Sequence, residues 1–158
     1  MRRALVYILL GTALAASCAA AERRSWNKIH YIGGTIPIKT SPYDWDTRLT
    51  IAPNDSIVLV IAPQKLFAPE QTVRIQGSQI LSLSAGPLAW RRVAEVNGAQ
   101  LPAKPRSLFG LWQDVSLLGI VYQAENGKRG AILLDSYYSW QIQPAFKKLT
   151  GKVIETSP

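Results

Sequence analysis

Residues 119–151 read GIVYQAENGKRGAILLDSYYSWQIQPAFKKLTG, and this stretch decides the fold. Its first half contains two apolar runs around Asn126-Gly127, a pair that tolerates the positive φ angles of a type I′ turn and therefore predicts a β-hairpin. In its second half apolar residues recur at helical spacing as far as Thr150-Gly151, which predicts an amphipathic helix. We expect this helix to come last and to cover the open end of a β-structure.

Upstream of the hairpin the sequence predicts further short strands. Alternating or β-branched apolar residues mark seven strands in all, at residues 28–36, 48–52, 56–62, 72–76, 80–84, 119–123 and 131–134. Leu81 and Leu83 are expected to share one face of the fifth. Residues 88–96 predict a short insertion helix. Strands at this spacing favour a mainly antiparallel barrel or sandwich.

The final helix is expected to seal this structure with one apolar stripe. The stripe consists of Tyr138, Ile142, Phe146 and Leu149. Pro144 fits if the helix begins near Trp140, because a proline in the first turn loses no backbone hydrogen bond.

The composition is that of one packed domain. The chain has 158 residues, of which 47% are hydrophobic and 18% charged. A domain of this length buries enough surface to fold without disulfides. With one cysteine and one histidine in the sequence, no disulfide framework is expected.

The N-terminal residues have the order of a secretory signal peptide. Arg2 and Arg3 precede an apolar stretch at residues 4–16, and small residues follow up to Ala21. The apolar stretch is shorter than the ~20 residues that a membrane-spanning helix needs. We therefore predict a signal peptide at residues 1–21 and a single β-domain at residues 22–158, exported to the periplasm or the cell exterior.

Two processing routes remain open. Residues 19–21 are three alanines, which fit an A-x-A cleavage site and would release a soluble protein. Residues 14–18, LAASC, instead resemble a relaxed bacterial lipobox, in which Cys18 would carry a lipid and anchor the protein to a membrane. Neither route leaves a free thiol in the mature domain.

The charge is moderately basic and spread along the chain. The net charge is +8, and without Arg2 and Arg3 16 basic residues face 10 acidic ones, which leaves +6. This predicts weak attraction to anionic envelope surfaces. Nucleic-acid binding requires a clustered basic stripe with stacking aromatics, which the sequence lacks, so no nucleic-acid partner is expected.

Few residues could perform catalysis. His30 lies in a predicted strand without the partners of a catalytic triad or a metal site. Asp44 and Asp46 are the one close acid pair, and Tyr43 and Trp45 beside them could stack on sugars. Two aspartates in a proline-rich loop are, however, typical of turn chemistry. We predict a non-enzyme without metal or cofactor, and a cell-wall or carbohydrate-acting hydrolase that uses Asp44 and Asp46 is the alternative.

The candidate binding residues are Trp140, Tyr137, Arg91 and Arg92. Tryptophan and tyrosine carry much of the binding energy at interfaces. Trp140 is expected off the inner stripe of the final helix and therefore in solvent. The two arginines could contact acidic lipid headgroups together with Lys147 and Lys148, if folding brings the two basic pairs together.

Four stretches carry a resemblance to a known family. They are HYIGGT at residues 30–35, QTVRIQGSQILSLS at 71–84, RRVAE at 91–95 and the segments GIVY, NGKRGAILL and LTGK between 119 and 152. In these the chain resembles small exported proteins of acidobacterial type with a pleckstrin-homology-like (PH-like) fold, in which seven antiparallel strands are closed by a C-terminal helix. The family's lipid-binding basic motif is not met by Lys39 and Arg48, which argues against phosphoinositide binding.

What the resemblance implies is binding of lipids, peptides or proteins rather than catalysis. We therefore predict an exported, non-catalytic binding domain whose partner is a protein or a cell-envelope component. Contact with a membrane would come only from a lipid on Cys18 or from weak basic attraction. A structural lipoprotein anchored through Cys18 is a further alternative.

Overall fold

The computed structural model describes residues 24–41, 43–63, 69–102 and 116–156. This part of the chain is mainly β-structure with a C-terminal helix, as predicted. The elements are β1 (Arg24–Gly34), β2 (Thr47–Ile51), β3 (Ser56–Ile61), β4 (Gln71–Gln76), β5 (Ile80–Ala85), α1 (Pro87–Ala94), β6 (Leu117–Gln123), β7 (Arg129–Ser136), α2 (Ser139–Thr150) and β8 (Ile154–Thr156). The predicted signal peptide, including Cys18, lies outside the described residues.

The eight strands form one sheet in the order β4-β3-β2-β1-β7-β6-β5-β8. Neighbouring strands are antiparallel, except that β8 runs parallel to β5. The long strand β1 joins the two halves by pairing with both β2 and β7. Its register shifts between Trp26 and Ile29 and again between Tyr31 and Gly33. Such irregularities bend a strand and increase its twist, so β1 can curl the sheet.

The curled sheet encloses one main core. Ile57 and Leu59 of β3 belong to the same buried cluster as Leu83 of β5 and Ile120 of β6. The inner faces of the two halves of the sheet therefore share a single hydrophobic interior, as in a sandwich.

Helix α2 covers this core with the predicted stripe. Ile142 and Phe146 are buried in the main cluster, and Tyr138 and Leu149 pack against it partly buried. The helix ends at Thr150, and the next residue, Gly151, has a left-handed φ of 67°, which is typical of a helix C-terminus. The inward stripe and the stop at Gly151 are confirmed.

Helix α1 packs on the other face of the sheet. Ala89 and Val93 form a second buried cluster with Leu117 and Val121 of β6. The intervening β6 residues Leu118 and Ile120 belong to the core under α2. Because successive side chains of a strand point to opposite faces, α1 and α2 lie on opposite sides of the sheet.

The strand count and the closure of the sheet differ from the expectation. All seven predicted strands are present as β1 to β7, but β8 follows the helix that we expected to be last. Within the described residues the sheet is open, with β4 and β8 as its edges. Strand β8 is only three residues long, Ile154–Thr156, which is too short for an alternating pattern to predict a strand.

The hairpin turn is also of a different type. Gly127 has a φ of 76°, whereas Asn126 has no positive φ, so the prediction of a type I′ turn is wrong. The Gly127 N–H donates to the Ala124 carbonyl at 3.0 Å, and the Ala124 N–H donates to the Lys128 carbonyl at 2.8 Å. This is the three-residue hairpin loop in which a turn is followed by one left-handed glycine. The Lys128 N–H donates to Asn126 Oδ1 at 3.0 Å, which stabilises the turn without a positive φ at Asn126.

Two local predictions are corrected by backbone geometry. Helix α2 begins at Ser139, so Pro144 lies in its second turn and cannot donate a hydrogen bond to the carbonyl of Trp140. On β5 the register shifts between Ile80 and Ser82, and this bulge turns Leu81 outward while Leu83 stays buried. The two leucines therefore do not share a face.

Candidate functional site

Four solvent-accessible aromatic side chains lie on two segments that are joined by a ring stack. The rings of Trp45 and Tyr137 stack with centroids 4.6 Å apart and an interplanar angle of 24°. Tyr137 is 69% exposed; Trp140, three residues after it, is 71% exposed, and Tyr43, two residues before Trp45, is 91% exposed. We call Tyr43, Trp45, Tyr137 and Trp140 the aromatic surface. Exposed aromatic groups of this kind commonly mark interaction sites.

A tight turn presents Tyr137 and Trp140. Tyr137 follows the last residue of β7, Ser136, whose hydroxyl accepts a hydrogen bond from the Tyr138 N–H at 3.0 Å. The carbonyl of Tyr138 then accepts from the N–H groups of Gln141 and Ile142, which starts α2. Trp140 lies in the first turn of α2, off the buried stripe, as predicted. The buried strand and the buried helix stripe thus fix the backbone on both sides of the two aromatic residues.

The loop between β1 and β2 presents Tyr43 and Trp45. Its Thr40 hydroxyl donates to the Tyr31 carbonyl at 2.6 Å, which ties the loop to the buried part of β1. Further on, the Asp44 N–H donates to the Ser41 carbonyl at 3.0 Å, and Asp44 Oδ1 accepts from the Asp46 N–H at 3.1 Å. Short-range hydrogen bonds of this type hold a loop in one conformation.

His30 lies beneath this surface. It is half-buried on β1, its ring centroid lies 5.5 Å from that of Trp45, and it pairs in register with Asp135 of β7. Burial lowers the pKa of His30 below 6.5, while the carboxylates of Asp135 and Asp44 and a hydrogen bond with the Ser41 backbone oppose this shift. Burial prevails because it disfavours the charged imidazolium. The lowered pKa favours the neutral imidazole at pH 7, and the His30 ring packs beside Trp45.

We expect the lowered pKa of His30 to make stability depend on pH. The unfolded chain binds the proton more readily than the folded one, so this contribution is complete above about pH 6.5 and is lost as the pH falls through the folded pKa. Chemical denaturation at several values between about pH 8 and about pH 5 should show a smaller loss of stability in His30→Gln than in the wild type. Equal losses in both proteins would contradict the assignment of this shift to His30.

The predicted binding residues fall on two separate surfaces. Tyr137 and Trp140 belong to the aromatic surface at the start of α2. Arg91 and Arg92 are exposed on α1, on the opposite side of the sheet from α2. Arg92 pairs with Glu155 of β8 at 2.9 Å and approaches Glu95 at 3.9 Å. The two arginines are thus not brought together with Tyr137 and Trp140.

The basic pairs are separated in the same way. Lys147 and Lys148 are exposed in the last turn of α2, whereas Arg91 and Arg92 lie on α1. Since the two helices pack on opposite faces of the sheet, the four residues do not form one basic patch. The two basic pairs therefore cannot contact one acidic lipid headgroup together, as the sequence analysis had required.

Asp44 and Asp46 lie in a local turn at the edge of the aromatic surface. The carboxylate of Asp44 accepts the Asp46 N–H, as the turn interpretation predicts. Asp44 also acts electrostatically on His30. The chemistry that this arrangement supports best is the stacking of a ligand on exposed rings, with polar groups beside them.

The stack between Trp45 and Tyr137 is the feature that the sequence did not reveal. From the sequence, Trp45 is only a ring that could stack on sugars in the hydrolase alternative, and Tyr137 is a candidate binding residue elsewhere in the chain. The long pairing of β1 with β7 brings the segments together. No local pattern encodes this pairing, because strand register between distant segments depends on the whole sheet.

Within the described residues no cluster of three or more histidine, cysteine, aspartate or glutamate side chains could hold a metal ion. Over the same residues, no helix has both the length and the apolar character needed to cross a bilayer. Comparison with protein-family models and with curated proteins finds no match to the sequence. The functional proposal therefore rests on the aromatic surface.

Proposed function

We propose that this chain is an exported, non-catalytic binding domain of PH-like type, which holds a protein or a cell-envelope component through the aromatic surface. The observation that carries the proposal is the stack of the exposed Tyr137 on Trp45, on two segments that also expose Trp140 and Tyr43. The PH-like assignment is supported by the strands β1 to β7, which pair antiparallel with one another and are followed by a helix that packs on their core. Export rests on the signal-like residues 1–21.

The energetics of aromatic side chains favour binding at this surface. A tyrosine or tryptophan buries a large apolar area on binding and loses few rotatable bonds, so it gains much contact at low entropic cost. Trp45 and Tyr137 already restrict one another by stacking, which lowers the ordering cost further. Asp44, within the loop that carries Tyr43 and Trp45, adds a carboxylate that can accept hydrogen bonds.

Removal of two aromatic side chains is expected to weaken envelope binding strongly. In co-sedimentation of the full chain with isolated cell envelopes from the source organism, Tyr137→Ala/Trp140→Ala should bind at least ~10-fold more weakly than wild type, because truncation of an interface aromatic costs about 2 kcal/mol or more. Both side chains are mostly exposed, so the free energy of unfolding should change little.

The matched control is Leu81→Ala/Val153→Ala. These side chains are 41% and 73% exposed, and neither belongs to the aromatic surface. Equal loss of envelope binding in the two double variants would contradict a role for the aromatic surface. A hydrolytic activity on envelope glycans that disappears in Asp44→Ala/Asp46→Ala would replace the binding proposal with the hydrolase alternative.

A further inference from the structure

A second candidate site lies at the hairpin end of β6 and β7, apart from the aromatic surface. An open cavity of about 910 Å³ separates the hairpin from the segment that follows α1. Its lining includes Val96, Asn97 and Gly98 on the helix side and Lys128 and Arg129 on the hairpin side. Small-molecule sites usually measure about 300–1,000 Å³, so the space suits a compact ligand better than a macromolecule.

The charge of the lining indicates the ligand class. Arg92, Lys128 and Arg129 contribute three positive charges, and Glu95 contributes one negative charge. Arg92 is already held by Glu155 and lies near Glu95. Lys128 and Arg129 form no ion pair with any residue in the described part of the chain. The hairpin side of the cavity thus offers two uncompensated cations.

The hairpin holds these two residues in place. The Lys128 carbonyl accepts from Ala124 at 2.8 Å, and the Lys128 N–H donates to Asn126 Oδ1 at 3.0 Å. The Gln123 side chain donates to the Gly127 carbonyl, which closes the loop from a second direction. A fixed backbone lowers the entropy lost when long basic side chains engage an anion.

We propose that this cavity binds a small polyanion that carries phosphate or carboxylate groups. Lys128 and Arg129 supply the main electrostatic attraction, since Arg forms paired hydrogen bonds with oxyanions and Lys acts as a compact charge. Asn97 and Ser82 in the lining add polar side chains that can donate hydrogen bonds. Val121 and Val96 provide apolar contacts for the body of the ligand.

The test is titration of the full chain with pyrophosphate and, separately, with citrate, followed by calorimetry and by amide chemical shifts. We expect binding by at least one probe, shifts at Gly98 and Gly130, and affinity that falls as salt rises from about 50 to about 200 mM. Preference for pyrophosphate would assign a phosphate ligand, and preference for citrate a carboxylate ligand. No binding of either probe at millimolar concentration would overturn the proposal.

Two double variants that each remove two positive charges distinguish binding in the cavity from general attraction of an anion to a basic protein. Lys128→Ala/Arg129→Ala should weaken binding of the preferred probe about tenfold or more, whereas Lys147→Ala/Lys148→Ala on α2 should leave it within about twofold. Equal weakening in both would show diffuse attraction to a basic protein and would overturn the site. Tyr137→Ala/Trp140→Ala should bind the probe like wild type. Binding in the cavity is thus tested independently of binding at the aromatic surface.

Discussion

Replacing Phe146 with alanine is expected to lower the free energy of unfolding by about 3–5 kcal/mol. The Phe146 ring is completely buried and is the largest side chain that α2 contributes to the core shared by the two halves of the sheet. The substitution removes its contacts and leaves a cavity that the surrounding strands can fill only in part. Urea denaturation monitored by circular dichroism measures the change.

Trp140→Ala is the matched control on the same helix. It also removes a large aromatic ring, but Trp140 is 71% exposed and off the buried stripe, so the loss should stay below about 0.5 kcal/mol. A small loss at both positions would mean that α2 does not seal the core. A large loss at both would mean that Trp140 is packed and unavailable as a binding residue.

The contrast between these two positions was predictable from the sequence. Within α2, spacing alone separates the buried Ile142 and Phe146 from the exposed Trp140, because a helix places residues three and four apart on one face. The strands were predictable for a similar reason. The unbroken β-branched run in β3 and the alternation in β2 each indicate burial without any knowledge of the partner strand.

Features that depend on distant contacts were not predictable in this way. The bulge that exposes Leu81 arises from its pairing with β6, and the position of β8 arises from its addition to the edge of β5. Glu155 of β8 pairs with Arg92, so an arginine assigned to ligand binding is held by a segment that the sequence left without structure. The stack of Trp45 on Tyr137 likewise follows from the register of β1 against β7.

The glycine pair in β1 lies between these two cases. A glycine pair inside a predicted strand is typical of a bulge or of a close backbone approach, and at Gly33-Gly34 the structure has both. A Cβ on Gly33 would lie 2.3 Å from the Gln100 carbonyl oxygen, and the Gly34 N–H donates to that same carbonyl at 3.0 Å. The glycine pair predicts that another backbone segment approaches β1, but it does not predict that this is the segment after α1.

Gly34→Ala is expected to cost about 3 kcal/mol or more of folding free energy, if the variant folds at all. The added Cβ would lie 2.1 Å from the carbonyl oxygen of Ala131 on β7, and the φ of 147° is one that L side chains rarely adopt. The contact is with backbone, so no rotation of a side chain can relieve it. Thermal and urea denaturation of the purified variant measure the loss.

Gly98→Ala is the comparison at a positive φ without a clash. Gly98 also has a positive φ, 85°, but a Cβ there would meet nothing within 4 Å, so we expect a loss of only about 1–2 kcal/mol. The difference between the two variants then reports the contact of β1 with β7 together with the less accessible φ of Gly34. The same pairing of β1 with β7 brings Trp45 and Tyr137 together. If Gly34→Ala cost no more than Gly98→Ala, the two halves of the sheet would not meet as closely as the structure has them, and the aromatic surface would lose its structural support.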